Sequence, residues 1–112
     1  MTKTYLEKDS DIMKMCLIPP IASIDQINMP YAHEADVLNM ALFGQTAKDW
    51  RDKNLSKKGN IRDYADVSQK VVLANLENTN AELIRQNVGQ AERLFRLNEI
   101  AIIQMQKILK IY

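Results

Sequence analysis

From Val67 onward, apolar residues recur at helical spacing in two runs separated only by Asn87-Val88-Gly89, and that pattern is best met by two antiparallel helices. The first run carries Val72, Leu73, Leu76, Leu83 and Ile84; the second carries Leu94, Leu97, Ala101, Ile102, Met105, Ile108 and Leu109. Asp66-Val67-Ser68-Gln69 has a side-chain oxygen first and an amide three residues on, the spacing of a capping box that opens a helix. Asn87 tolerates the left-handed position that ends one, with Val88 as the apolar residue after it. Gly89, with Glu92 three residues later, starts the next. The spacing predicts a hairpin of residues 67–86 and 90–110, each arm about 30 Å long at 1.5 Å per residue.

Two polar residues interrupt these stripes. Asn80 falls between Leu76 and Leu73 on its helix, and Asn98 between Met105 and Leu109, at 100° per residue. With the turn near Val88 and Gly89, the two positions lie opposite one another. A mutually bonded amide pair would be satisfied and would fix register, as a buried Asn does in a coiled coil. Asn80 and Asn98 are therefore expected to meet across the interface, the other reading being a polar pocket for a ligand.

All three prolines and three glycines stand where helices can stop or start, so the upstream half is read as helical too. The expected fold is all-α, with short N-terminal helices packed on the long hairpin in one domain of 112 residues. Residues 1–22 form a junction or arm, with a short helix around Asp11 to Cys16 that Leu17-Ile18-Pro19-Pro20 stops. Residues 23–54 hold short helices. Ser23-Ile24-Asp25-Gln26 begins a turn or two before Pro30; residues 34–43 form a largely buried helix closed by Gly44. Thr46-Ala47-Lys48-Asp49 opens a third, to Asp52 or Lys53, with Trp50 as its anchor into the core. Residues 55–65 form a basic surface loop, and residues 66–112 the hairpin.

Chemistry is sparse. The only histidine, His33, has no second histidine four residues away, and the lone Cys16 sits in the apolar run Met15-Cys16-Leu17-Ile18 as a buried thiol. No glycine-rich phosphate loop or nucleophile motif is present, so neither catalysis, cofactor, metal nor small-molecule substrate is expected. The N-terminus is too polar for a signal peptide, no apolar run is long enough to span a bilayer, and a cytoplasmic location follows. Net charge is +1, so electrostatic attraction to nucleic acid has to be local. One segment supplies it. Between Lys48 and Arg62, six basic residues (Lys48, Arg51, Lys53, Lys57, Lys58 and Arg62) face two acids, Asp49 and Asp52. Such a patch either neutralises backbone phosphates, giving salt-sensitive binding without sequence readout, or is a solvated loop.

The run HEADVLNMALFGQTAKDWRDKN, followed by KKGNIRDYADVSQKVVLANLENTNAELIRQ and ERLFRLNEIAIIQM, resembles the segment after the DNA-binding KilA-N domain in bacterial and phage-derived proteins. CLIPP followed by YAHEAD resembles the junction leading into it, so the similarity covers roughly residues 12–109. His33 stands where that pattern often has Ser, and Asn87-Val88-Gly89 replaces a Gly-Leu-Ser type of turn. The tryptophan and phenylalanine motifs of the KilA-N domain itself are not in this chain. What the resemblance implies is a non-enzymatic accessory module in a phage or mobile-element setting. It would contact a protein partner or a second copy of itself, with DNA reached through an associated domain or directly through residues 48–62.

Overall fold

A computed structural model describes residues 18–111, with side chains as far as Leu109. The expected helix around Asp11 to Cys16 and the burial of Cys16 lie outside these residues. The described chain is helical throughout: α1 (Ile24–Asn28), α2 (Glu34–Phe43), α3 (Ala47–Lys53), a 3-10 turn (Ile61–Tyr64), α4 (Val67–Arg85) and α5 (Gln90–Ile111). None of these helices is long and apolar enough to cross a membrane.

Helix boundaries follow local chemistry. Ser23, Thr46 and Asp66 each accept a bond from the backbone N–H three residues on, while Gln26, Asp49 and Gln69 reach back to the capping residue's own N–H. Each box satisfies two donors that a helix start otherwise leaves open. Gly44 ends α2 at φ 72°, where its N–H bonds the Met40 carbonyl. A Cβ there would stand 2.5 Å from Pro20 Cγ, so the position needs glycine both for its φ and for the close passage of the N-terminal strap. Asn87 takes φ 60° at the end of α4. Its N–H bonds the Ile84 carbonyl, and that of Val88 bonds the Leu83 carbonyl, closing a Schellman turn.

The hairpin of α4 and α5 forms one layer, and α2 lies against both arms. Val37 to Leu42 of α2 are all buried because this helix is covered on more than one side. Val72, Leu73 and Leu76 of α4 and Leu94, Leu97, Ala101 and Met105 of α5 complete the core. Ile84, placed in the stripe by its spacing, is 44% exposed at the open edge of the hairpin.

Asn80 and Asn98 are both buried, at 4% exposure each, but they do not bond one another. The arms do run antiparallel, with Asn75 Nδ2 donating to Gln104 Oε1 across the hairpin at 3.0 Å. What differs is the third layer. With α2 resting on both arms, part of each apolar arc faces α2 instead of the opposite arm, and each asparagine takes one partner from it, Glu34 for Asn80 and Ala41 for Asn98. Asn98 Nδ2 donates to the carbonyls of Pro20 and Ala41, both at 2.9 Å, and its Oδ1 accepts from the Ala22 N–H at 2.9 Å. One side chain thus ties the N-terminal strap and the last turn of α2 to α5. Asn80 belongs to a separate network described below.

Candidate functional site

The basic segment is folded more tightly than a loop. After α3, Asn54 Nδ2 bonds the Trp50 carbonyl at 2.7 Å and the Lys57 N–H bonds the Asn54 carbonyl. Gly59, at φ 86°, lets the chain turn where a Cβ would collide with the Asp63 carboxylate. Asn60 then caps a 3-10 turn that the periodicity did not indicate, its Oδ1 accepting from the Arg62 N–H while Asp63 accepts from the Asn60 N–H. Asn60-Ile61-Arg62-Asp63 carries the same side-chain spacing as the longer caps, and that is the signal that would have located it.

This turn stacks against α3. Trp50 is buried at 6% exposure, as its anchor role requires, with its ring 5.1 Å from that of Tyr64 at a tilt of 34°. Tyr64 stays half exposed; its hydroxyl donates to the Lys58 carbonyl at 2.7 Å, and the Lys57 ammonium lies 5.3 Å over its ring. Ile61 is buried beside them.

The six basic residues separate into three kinds. Arg62 is turned inward: its guanidinium donates to Asn39 Oδ1 at 3.0 Å, pairs with Glu77 at 3.1 Å and approaches the Ala35 carbonyl at 3.5 Å. Its planar fork bridges the 3-10 turn to α2 and α4, so Arg62 is a structural tie and leaves the candidate patch. Lys48 pairs with Asp52 one helical turn on, with both side chains largely in solvent. Arg51, Lys53, Lys57 and Lys58 are exposed and make no ion pair among the described residues.

A second polar cluster, not anticipated from the spacing, lies where the hairpin turn meets the start of α2. Arg93, at 8% exposure, donates to Glu34 at 2.8 Å, to Asn80 Oδ1 at 3.0 Å and to the Val88 carbonyl at 2.8 Å. Asn80 Nδ2 donates to the other Glu34 oxygen at 2.9 Å. Gln90 clasps the backbone of Tyr31, accepting from its N–H at 2.9 Å and donating to its carbonyl at 3.0 Å. Burial pushes the Glu34 carboxyl up, but bonds from Asn80, Arg93 and Gln90 and the Arg93 charge outweigh it, leaving the group below its ordinary value. Every buried side-chain atom of this cluster is satisfied within it. The cluster fastens α2 to the hairpin turn, through an ion pair whose Arg93 end is buried and whose Glu34 end is partly exposed.

The surface among the described residues also carries depressions. A groove of about 680 Å³ runs between the end of α2, Trp50 and the 3-10 turn. A smaller one, of about 280 Å³, lies between the N-terminal strap and α5, lined mainly by Ile21, Phe95, Ile102 and Ile103, with Asn98 and Glu99 as its polar side chains. Lining the second, Ile21 is 85% exposed, Phe95 51% and Ile103 49%, large apolar groups in water. No protein-family model, curated protein or solved structure matches this chain.

Proposed function

We propose that this chain is a non-enzymatic protein-interaction module that accompanies a KilA-N type DNA-binding protein of phage or mobile-element origin. The observation that carries the interaction role is the exposed apolar group of Ile21, Phe95 and Ile103 lining the smaller depression. Burying such side chains on association contributes about 1.5–3 kcal/mol each relative to leaving them in water. The core beneath is already closed, so association would not require the helices to open. The resemblance over residues 12–109 supplies the kind of partner, a KilA-N protein or a second copy bound beside it.

The test is association measured by light scattering and by titration with a KilA-N type protein, for the wild-type chain and Phe95→Asp/Ile103→Asp. Two charges introduced on an exposed apolar face that association would bury should weaken association by more than ~10-fold. Equal behaviour of the two proteins removes this face from the reading.

Direct nucleic-acid binding is the second reading, favoured by exposed Arg51, Lys53, Lys57 and Lys58 beside half-exposed Tyr64. Four cations on phosphates give a slope of log K against log salt of roughly −3 to −4, and Lys57→Glu/Lys58→Glu should abolish most of it. Absence of binding at low salt excludes this reading.

A further inference from the structure

The larger groove and the basic turn after α3 adjoin one another. Trp50 and Ile61, both buried, line the depth of the groove, while Ile18, Pro20, Phe43 and Tyr64 are its more open walls. Its volume of about 680 Å³ lies within the range of ligand sites, roughly 300–1,000 Å³, and it is open to solvent rather than enclosed. The turn is fixed at its edge by three contacts. Asn54 Nδ2 donates to the Trp50 carbonyl, the Tyr64 hydroxyl donates to the Lys58 carbonyl, and the Lys57 ammonium stands 5.3 Å from the centre of the Tyr64 ring. Leu55, between Asn54 and these lysines, is 86% exposed, a large apolar side chain that the fold leaves in water.

The charges of this stretch differ in how far they are already used. Asp49, Asp63 and Asp66 accept capping bonds from the backbone, Asp52 pairs with Lys48, and Arg62 is held by Asn39 and Glu77. Arg51, Lys53, Lys57 and Lys58 are exposed and have no ion pair among the described residues. The groups open to an incoming chain are therefore cations beside an apolar groove, and their complement is a chain that carries carboxylates next to large apolar side chains. Phosphates would match the same cations. Bases, however, stack on open aromatic faces, whereas the walls at Ile18 and Pro20 are aliphatic and the Tyr64 ring is already packed on Trp50.

We propose that the groove and the basic turn together take an acidic segment of a partner protein, its large apolar side chains seated against Ile18, Pro20, Phe43 and Tyr64 and its carboxylates on Lys57, Lys58, Arg51 and Lys53. The apolar walls supply affinity, and the cations select for acidic sequences and speed the encounter. This surface shares no lining residue with the face at Phe95 and Ile103, so the two stand or fall separately. It gives the basic turn a role that needs no contact with DNA.

The test titrates the full 112-residue chain with short peptides and reads Trp50, the only tryptophan in the sequence, whose emission reports on the groove it lines. The probe is Asp-Asp-Phe-Leu-Asp-Leu-Leu-Asp, beside one version with lysine for every aspartate and another with serine for every apolar residue. The expected result is a saturable emission change with the first peptide, weakened by salt, and an affinity lower by more than ~10-fold for both altered peptides. Lys57→Glu/Lys58→Glu, and Ala65→Gln, which places a longer neutral side chain in the groove wall, should each weaken the first peptide to a similar degree. Retained helicity and a cooperative melt show that these variants are folded. No saturable change up to about 1 mM peptide overturns the proposal, as does equal binding of either altered peptide or indifference to either variant. An emission change given by a single- or double-stranded oligonucleotide and not by the peptide assigns the surface to nucleic acid, and one that appears on dilution of the chain alone assigns the groove to a second copy; both overturn it.

Discussion

Replacing Asn98 by Asp changes a single side-chain group from NH2 to oxygen, yet it inverts two of the three bonds that hold the N-terminal strap to the core. In the native chain Nδ2 donates to the Pro20 and Ala41 carbonyls, and Oδ1 accepts from Ala22. Asn98→Ala removes all three, at about 1 kcal/mol each plus the cost of a stranded buried carbonyl, so about 3–4 kcal/mol in all. Asn98→Asp keeps the shape but aims a carboxylate at two carbonyl oxygens. At neutral pH it should be less stable than Asn98→Ala by about 1–2 kcal/mol. Protonation restores one donor. The introduced carboxyl is therefore raised in the folded state above the ordinary Asp value of about 3.9. The sign follows: the variant is closest to wild type below about pH 4, and it loses stability as pH rises from there to the folded-state pKa, at up to about 1.4 kcal/mol per pH unit. Urea unfolding of wild type, Asn98→Ala and Asn98→Asp across that range measures it, and subtracting the wild-type curve cancels shared titrations. An Asn98→Asp deficit that is flat with pH, or no larger than that of Asn98→Ala at pH 7, would refute the bonding scheme.

Glu34→Gln should cost about 1–2 kcal/mol at pH 7, because it leaves the Arg93 guanidinium without its counter-charge while solvent at the 42% exposed Glu34 side chain screens part of the loss. The Glu34 carboxyl is depressed in the folded state, so its contribution is full above the ordinary carboxylate range and lost as pH falls through the folded-state pKa. The difference between Glu34→Gln and wild type in chemical denaturation should therefore shrink in acid. Trp50→Ala should cost about 3–5 kcal/mol, read as a fall in the urea midpoint, since the ring is buried and stacks on Tyr64. Gly44→Ala should lower the thermal midpoint, by an amount equivalent to about 2 kcal/mol or more, because strain at φ 72° adds to a clash with Pro20.

The helices that sequence spacing located best are those whose ends are written in adjacent residues. Ser23, Thr46 and Asp66 with their partners three residues on, Gly44, and the Asn87-Val88 turn each encode a boundary through bonds within a few residues, and each stands where it was expected. Asn80 bonds Glu34, 46 positions away, and Asn98 bonds residues 57 to 78 positions away, contacts that depend on how α2 and the strap cross the hairpin, which stripe periodicity does not contain. A pairwise reading could only match the two asparagines to each other. Arg62 departs from the expected patch for the same reason. Local charge density places it with the exposed lysines, whereas its bonds run to Asn39 and Glu77 on two other helices. Arg93 carried no sign of burial, because its partner Glu34 lies 59 positions away.

The central claim, that the chain acts through a protein partner and reaches DNA by way of it, is tested most directly by one titration. Fluorescently labelled duplex DNA at low salt is titrated with this chain alone, with a KilA-N type protein alone, and with the two together or fused. The account predicts no binding by the chain alone and a larger, slower complex when the KilA-N protein is present, lost in Phe95→Asp/Ile103→Asp. Salt-sensitive binding by the chain alone, abolished by Lys57→Glu/Lys58→Glu and indifferent to Phe95 and Ile103, would contradict it.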